Sequence, residues 1–516
     1  MPTALHGSAQ PVPLGGGYAL LAPGLRGTAE VLPPGPIVAR SRAPALHASI
    51  GLASLDAALR NEDVSEVKLI DLSLQRDPAL MAAGSVLRSA QGGADLVLEV
   101  PDLGPNVGQL VLSIDDAGAV RWHLPQPLPS AVMAARSAGA RGAGGTLRFV
   151  IPAEVIVPRV PSTGPTTQRS LLGAATRRLL KVLVYPLVDP VIGAVSEHFA
   201  SKWEQGKRPH RLRSFTPANQ GQAGVPAMTP AEVAAMASGG PVLMLIHGTF
   251  STAQAGFGDL PQATLQALHQ RYEGRVLAFD HPTLATSPDD NARWLLSQLP
   301  SASVQMDIIS HSRGGLVARM LAEQQAALGP DAQRAKVRRV VLAGVPNQGT
   351  ALADPDHMVD MIDRFTTALT LFPTGPATET FEALVTVLKV IGHGALGESG
   401  LRGLSSMRPQ GPFLAKLNQG GGERAGYFAL AADYEPTDRG LRSLIAASAD
   451  HLADKVFGDA SNDLVVPTDG VWGENGAPGF PLPPDRVLSF GREQGVMHTD
   501  FFRQPAVADK LLAWLA

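Results

Sequence analysis

The stretch at 304–319, VQMDIISHSRGGLVAR, constrains this chain more than any other. An apolar run suited to a strand buried on both faces ends in Ser310-His311-Ser312-Arg313-Gly314, and an amphipathic run begins at once. Such a junction reads as a sharp strand-to-helix turn that lifts one side chain, here Ser312, above the end of a parallel sheet. That sheet needs further strands, and the chain supplies them. Residues 241–246, 275–279, 339–343 and 427–431 are continuous apolar runs of the same kind. Helical stretches alternate with them. Residues 263–272 stop at Gly274, and 288–299 start after Ser287, with Pro288 at the first position and Asp290 three residues past the cap. The expected fold class is α/β, a doubly wound, mostly parallel sheet.

At 516 residues the chain exceeds one ordinary domain, and two or three are expected. Apolar residues make up 45% and charged ones 17%, enough to bury a large core. The formal net charge of -3 gives no pull toward nucleic acid, so no nucleic-acid partner is expected. Cysteine is absent, which excludes disulfides, thiolate metal sites and a cysteine nucleophile. No secretory leader is visible: the first basic residue is Arg26, and the apolar stretch 18–22 is too short for one. The best membrane candidate, 179–195, contains Lys181, Pro186, Asp189 and Pro190, and falls short of the ~20 apolar residues a span needs. The expectation is a cytoplasmic protein without a transmembrane segment, with peripheral membrane contact left open.

Residues 1–160 read as a β-rich N-terminal domain of unknown role, with candidate strands at 18–21, 67–72, 95–100, 109–114, 120–124 and 146–151. Asp115-Asp116-Ala117-Gly118 supplies turn chemistry for a hairpin over 109–124. The glycine-rich loop 138–145 lacks a following Lys-Ser/Thr and reads as a turn, not a phosphate cradle. A linker is expected at 158–167, then helix over 170–202, broken near Pro186 and Pro190. The basic cluster Lys202, Lys207, Arg208, Arg211 and Arg213 reads as a solvated connector face, since no aromatics interleave it for base stacking. The division expected is 1–160, a linker and helical connector at 161–238 with a loop over 214–238, and an α/β domain at 239–516.

A serine hydroxyl needs a base, an orienter for that base and an oxyanion site before it can attack a carbonyl. Ser312 is the candidate nucleophile. Ser310 stands where the usual G-x-S-x-G pattern has glycine, a tolerable departure because the residue is still small. The oxyanion donors expected are the backbone N–H of Arg313 and that of Thr249, with Phe250 the alternative, in the loop His247-Gly248-Thr249-Phe250. His247 reads as a loop-shaping residue, since it precedes the nucleophile by a whole βαβ unit. Asp463, on the polar turn Ser461-Asn462-Asp463 before an apolar run, is the candidate acid, with Asp433 and Asp459 in reserve. A last strand at 486–490 precedes His498, the candidate base, and 506–515 reads as a closing helix. His357, His393 and His451 fit less well and read as surface or packing histidines.

The order Ser312, Asp463, His498 and the motifs around it resemble the α/β-hydrolase superfamily, and more narrowly its lipase-like branch: triacylglycerol lipases, lecithin:cholesterol acyltransferase-like enzymes and GPI-inositol deacylase-like proteins. The segments that carry the resemblance are LIHGTF at 245–250, the turn at Ser312, VLAGVPNQGT at 341–350, SNDLVVP at 461–467 and MHTDFF at 497–502. Gly344, Pro346, Gly349 and Thr350 reproduce a Gly-x-Pro-x-x-Gly-Thr segment of such lipases, and LSSMRPQGPFLAKLN at 404–418 resembles their post-lid segment. The resemblance covers 241–516 only. It implies a serine esterase that forms an acyl-enzyme on a lipid-like or small-molecule ester, with no cofactor and no metal. The same machinery would serve an acyltransferase, thioesterase or amidase, and a silent scaffold with a partner-binding N-terminal domain is the non-enzymatic alternative.

Residues 351–403 form an insert where lipases carry a lid. Apolar residues from Met358 to Phe372 and from Phe381 to Ile391 fall at helical spacing, giving a helical cap able to cover an acyl chain or simply pack on the sheet. His281, in Asp280-His281-Pro282 at a strand end, is a candidate for the pocket rim. Asp354, Asp356 and His357 have spacing too weak to argue a bound cation.

Overall fold

The computed structural model describes the chain except residues 9, 36–45, 77–94, 105, 116–117, 127–144, 153–175, 187–194, 223, 355–356, 372–376, 393–400, 421–424 and 435–460. The linker expected at 158–167, nearly all of the loop at 138–145, Asp356, Phe372, His393, His451 and Asp459 lie outside the described residues.

The N-terminal part holds ten described strands: β1 (Thr3–His6), β2 (Val12–Gly15), β3 (Tyr18–Leu21), β4 (Leu25–Leu32), β5 (Ser65–Arg76), β6 (Leu96–Pro101), β7 (Val107–Asp115), β8 (Val120–His123), β9 (Thr146–Ile151) and β10 (Thr176–Pro186). They form two antiparallel sheets, of order β1-β4-β5-β10-β7-β8 and β2-β3-β6-β9. Leu20, Leu98 and Phe149 of the smaller sheet meet Ile70, Val111 and Val182 of the larger in one core. The other face of the larger sheet is buried too. Leu69, Leu110, Leu112 and Leu183 join a different core with helix α1 (Leu46–Asn61) and the cap.

Helix was expected over 170–202. Instead Thr176–Pro186 is the strand β10, central in the larger sheet, and helix α2 (Val195–Lys207) starts after it. A strand covered on both faces shows no two-residue alternation. Leu179, Leu180, Val182 and Leu183 are all buried, and their spacing imitates a helical face. Even Lys181 is buried in this strand, within 2.6 Å of Glu66 and 3.3 Å of Asp56. The connector cations also differ from expectation. Arg208 and Arg213 are buried rather than solvated: Arg208 donates to the carbonyls of Ser251 and Glu379, and Arg213 pairs with Asp280 at 3.0 Å. The loop expected over 214–238 contains a helix, Pro230–Ala237, opened by a capping box between Thr229 and Glu232.

The C-terminal part is built on a seven-stranded sheet: β11 (Arg211–Ser214), β12 (Val242–Ile246), β13 (Val276–Asp280), β14 (Val304–His311), β15 (Ala335–Ala343), β16 (Gly426–Ala432) and β17 (Val487–Phe490), in the order β11-β13-β12-β14-β15-β16-β17. All pairings are parallel except β11 with β13. Because β11 belongs to it, the sheet begins upstream of the boundary expected at 239. Both faces are covered. Val242, Met244 and Ile246 of β12 point into one core, and Leu243 and Leu245 into another. This double burial is why the strands read as unbroken apolar runs. Helix α3 (Gly314–Glu323) follows Ser312, and the insert forms α4 (Met358–Leu371) and α5 (Ala377–Gly392), which rest on the N-terminal part. No helix among the described residues is long and apolar enough to cross a membrane.

Candidate active site

Ser312 stands between β14 and α3 with φ at +52°, a left-handed conformation that costs a residue bearing a Cβ on the order of 1–2 kcal/mol. The surroundings impose it. The Ser312 amide donates to the Ala343 carbonyl at 2.8 Å, extending the β14–β15 ladder by one bond, and its carbonyl then accepts from Gly315 N–H at 3.0 Å to start the helix. The chain can turn this sharply because its neighbours are small. A Cβ on Gly314 would collide with the carbonyls of Ile246 and His247, and one on Gly248 would lie 2.5 Å from the Ser312 Cβ and 3.2 Å from its Oγ. Ser310 is fully buried, and its hydroxyl donates to the Val341 carbonyl at 2.9 Å. The departure from the usual glycine is thereby satisfied within the β14–β15 pair.

Asp463 and His498 are brought together. His498 Nδ1 lies 2.8 Å from Asp463 Oδ2, and both side chains are buried. The other carboxylate oxygen accepts the amides of Val465 at 3.0 Å and Val466 at 2.8 Å. The acid is therefore held by its own turn and aims its remaining oxygen at the imidazole. The His498 amide donates to the Asp463 carbonyl at 3.1 Å, and the His498 carbonyl faces His311 Nε2 at 2.8 Å. The imidazole packs over Gly344, where an added Cβ would come within 3.0 Å of its Nδ1 and Cε1. His498 Nε2 is buried and has no hydrogen-bond partner among the described residues, so no bond joins it to the Ser312 hydroxyl. Such bonds often tighten only when substrate is present. Of the reserve acids, Asp433 is engaged by Arg492 at 2.9 Å.

The loop after β12 is shaped by His247. Its Nδ1–H donates to the Gly248 carbonyl at 2.9 Å, while Nε2 accepts the His281 amide at 3.1 Å. Burial pushes this imidazole down to about 4, so it is neutral near pH 7 and can hold that tautomer. Phe250 follows with φ at +57°. The amides of Thr249 and Arg313 have no acceptor among the described residues. His281 is not a rim residue: it is 1% exposed and stacks on His247 and Phe279. Asp354 sits 3.8 Å from Arg408 and His357 3.5 Å from Asp360.

Three contributors escaped the sequence reading. His311 lies inside the turn motif itself, and burial first, then the neighbouring His498, pushes it down to about 3; neutral, it donates Nε2–H to the His498 backbone. The Arg313 side chain is fully buried and ties the turn to the carbonyls of Gly403 and Thr286. Burial lowers it to about 10, still charged at neutral pH. Glu204 of α2 is 1% exposed and accepts the successive amides of Thr283, Leu284 and Ala285, the last two at 2.7 and 2.9 Å. An alternating His-Ser within an apolar run signals the first. No local pattern signals the other two, whose partners are backbone groups far away in sequence.

Residues 207–516 match the model of a family described as a domain of unknown function (DUF7379). The chain belongs to that family. The family segment starts just before β11, so it contains the whole seven-stranded sheet. No curated protein matches the sequence. Among solved structures the chain is similar to phospholipase PlaB from Legionella pneumophila, with 15% identity, 45% of each chain covered and a TM-score of 0.27. It therefore spans less than half the length of that phospholipase. It is also similar to lipase 1 from Pelosinus fermentans, with 13% identity, 53% of this chain and 96% of that one covered and a TM-score of 0.35. A metagenomic carboxyl esterase is 17% identical, with coverage of 54% and 68% and a TM-score of 0.26.

Proposed function

We propose that this protein is a serine hydrolase of the α/β-hydrolase type, cleaving carboxylic esters with an apolar acyl group. One observation carries the reading: a buried imidazole bonded at 2.8 Å to a buried carboxylate keeps its other ring nitrogen unpartnered and packs over Gly344, the residue after Ala343, whose carbonyl holds the amide of a serine in a left-handed turn at the end of a parallel strand. The Ser312 hydroxyl gives its proton to His498 Nε2 as Oγ attacks the ester carbonyl. Asp463 Oδ2 holds the Nδ1–H and stabilises the imidazolium. The N–H groups of Thr249 and Arg313 receive the oxyanion. The C–O bond to the alcohol then breaks, the alcohol leaves with the proton from Nε2, and water releases the acyl group by the reverse steps. The cycle needs no cofactor. Residues 207–516 carry this chemistry, and the strands through β10 form a second unit.

The apolar side chains Phe250 and Phe365, in contact with each other and with the His498 ring on the Phe365 side, support a preference for a longer acyl chain. The test is hydrolysis of p-nitrophenyl esters from acetate to decanoate. kcat/KM should rise with chain length, and Ser312→Ala should lower kcat by roughly 10⁴-fold or more. Hydrolysis that persists in Ser312→Ala would exclude the mechanism. Preference for acetate over octanoate would exclude the acyl assignment alone.

A further inference from the structure

β8 is the edge strand of the larger N-terminal sheet, so among the described residues one side of its backbone has no strand to pair with. Helix α4 of the cap satisfies that side with side chains. The Trp122 amide donates to Asp363 Oδ1 at 2.7 Å, and Trp122 Nε1 donates to Thr366 Oγ1 at 3.1 Å. Thr367 Oγ1 accepts the Val120 amide at 3.2 Å and donates to the Val120 carbonyl at 2.9 Å. Asp363, Thr366 and Thr367 are three and four residues apart and so share one helical face. Burial pushes the Asp363 carboxyl up to about 8, so at neutral pH this contact is made mainly by a neutral acid. Helix α5 is held in the same way against α1. Asn61 Nδ2 donates to Glu382 at 2.7 Å, Thr386 donates to Glu62 at 3.3 Å, and Lys389 donates to the Glu62 carbonyl.

The side of α4 away from β8 reaches the loop after β12, the candidate base and the turn of the candidate acid. Phe365, two residues from Asp363 and thus roughly 200° around the helix, meets Phe250 of the oxyanion loop edge-on, with ring centroids 5.7 Å apart. It meets the His498 imidazole the same way at 6.5 Å. Arg364 Nη1 donates to the Leu464 carbonyl at 3.4 Å, in the turn that carries Asp463.

We propose that β8 is a positioning element of the active centre: by holding α4 through Asp363, Thr366 and Thr367 it sets Phe365 and Arg364 against the oxyanion loop, the imidazole and the acid turn, and Phe365 forms a wall of the acyl site. This rests on the reading of Ser312, Asp463 and His498 as the catalytic groups. The residues on β8 and on the facing side of α4 are positioning residues, since none of them touches the reacting atoms.

The test uses the full chain and four substitutions combined in three variants. Thr367→Val removes a hydroxyl at nearly constant volume, and Trp122→Phe removes the indole donor together with part of the ring volume while keeping an aromatic in the core. Asp363→Ala deletes the acceptor, whereas Asp363→Asn keeps an oxygen for the Trp122 amide. For the Thr367→Val, Trp122→Phe double variant and for Asp363→Ala, kcat/KM on p-nitrophenyl octanoate should fall about tenfold or more, mainly through KM, with acetate changed less than about threefold; Asp363→Asn should restore most of the loss. Equal losses on both esters, or none, would overturn the proposal. Hydrogen exchange gives a readout independent of turnover. In the damaged variants the amides at 247–251 and 463–466 should exchange at least about tenfold faster, with those of β14 unchanged. Unchanged exchange at both segments would overturn the proposal even if Ser312 proved unreactive. Loss of turnover in the unaltered chain with faster exchange in the variants would instead count against the catalytic reading alone.

Discussion

Asp463 illustrates how one carboxylate can hold an imidazole in a single orientation. Its Oδ1 is occupied by two amides of its own turn, so only Oδ2 faces His498. In Asp463→Asn the amide group would keep its carbonyl oxygen on those two N–H groups and turn its NH₂ toward Nδ1. The imidazole would then carry its proton on Nε2 and could not accept one from Ser312. We expect kcat on p-nitrophenyl butyrate to fall by about 10³–10⁴-fold with the far-ultraviolet spectrum unchanged. A loss below about tenfold would mean the acid is not the orienter. The two neighbouring buried imidazoles behave differently from a solvated histidine. With values of about 4 and 3, His247 and His311 stay neutral from pH 8 to 5. Their folded values lie below the unfolded one near 6.5, so the unfolded chain takes up protons first and their contribution to stability is lost as pH falls below that value. Nitrogen NMR of histidine-labelled protein should show His247 as the Nδ1–H tautomer with no titration above pH 5. A midpoint near 6.5 for either ring would contradict the hydrogen bonds assigned to it.

At the scale of elements, the turn between β14 and α3 depends on the close approach of β12. A methyl group at Gly314 would press on the carbonyls of Ile246 and His247, backbone atoms that cannot swing away. Gly314→Ala should destabilise the protein by about 1–3 kcal/mol, read as a lowered urea midpoint with an unchanged slope. An unchanged midpoint would show that the strands can separate freely. The parallel strands and this turn were legible because burial on both faces writes an unbroken apolar run, as in VLMLI of β12, bounded by turn residues. The same burial misled at β10, where a central strand between a second sheet and a helix was read as helical. Helix α1 went unread although Leu52, Leu55, Ala58 and Leu59 line its buried face, because glycine and alanine dilute the contrast with its exposed side. Short edge strands such as β2, with Pro13 inside it, carry too little pattern to read at all. At the site, residues contributing backbone-facing contacts over long separations, such as Glu204 and the Arg313 side chain, leave no local trace.

The whole molecule is joined through its cap. Leu52, Leu110 and Leu112 of the N-terminal part share one continuous core with Phe381, Leu384 and Leu388 of α5 and with Val242 and Met306 of the parallel sheet. Two units joined in this way should unfold together. Thermal unfolding followed by tryptophan fluorescence, far-ultraviolet dichroism and residual esterase activity should give one coincident transition. Separate transitions would mean that the two halves are independent and that the cap does not couple them. The central claim is that Ser312 is an activated nucleophile. It is tested most directly by treating the folded full-length protein with a fluorophosphonate and mapping the adduct by peptide mass spectrometry. The account predicts one adduct, on Ser312, absent in Ser312→Ala and much slower in His498→Ala. Folded protein that takes no label, or takes it on another residue while Ser312 stays free, would contradict it.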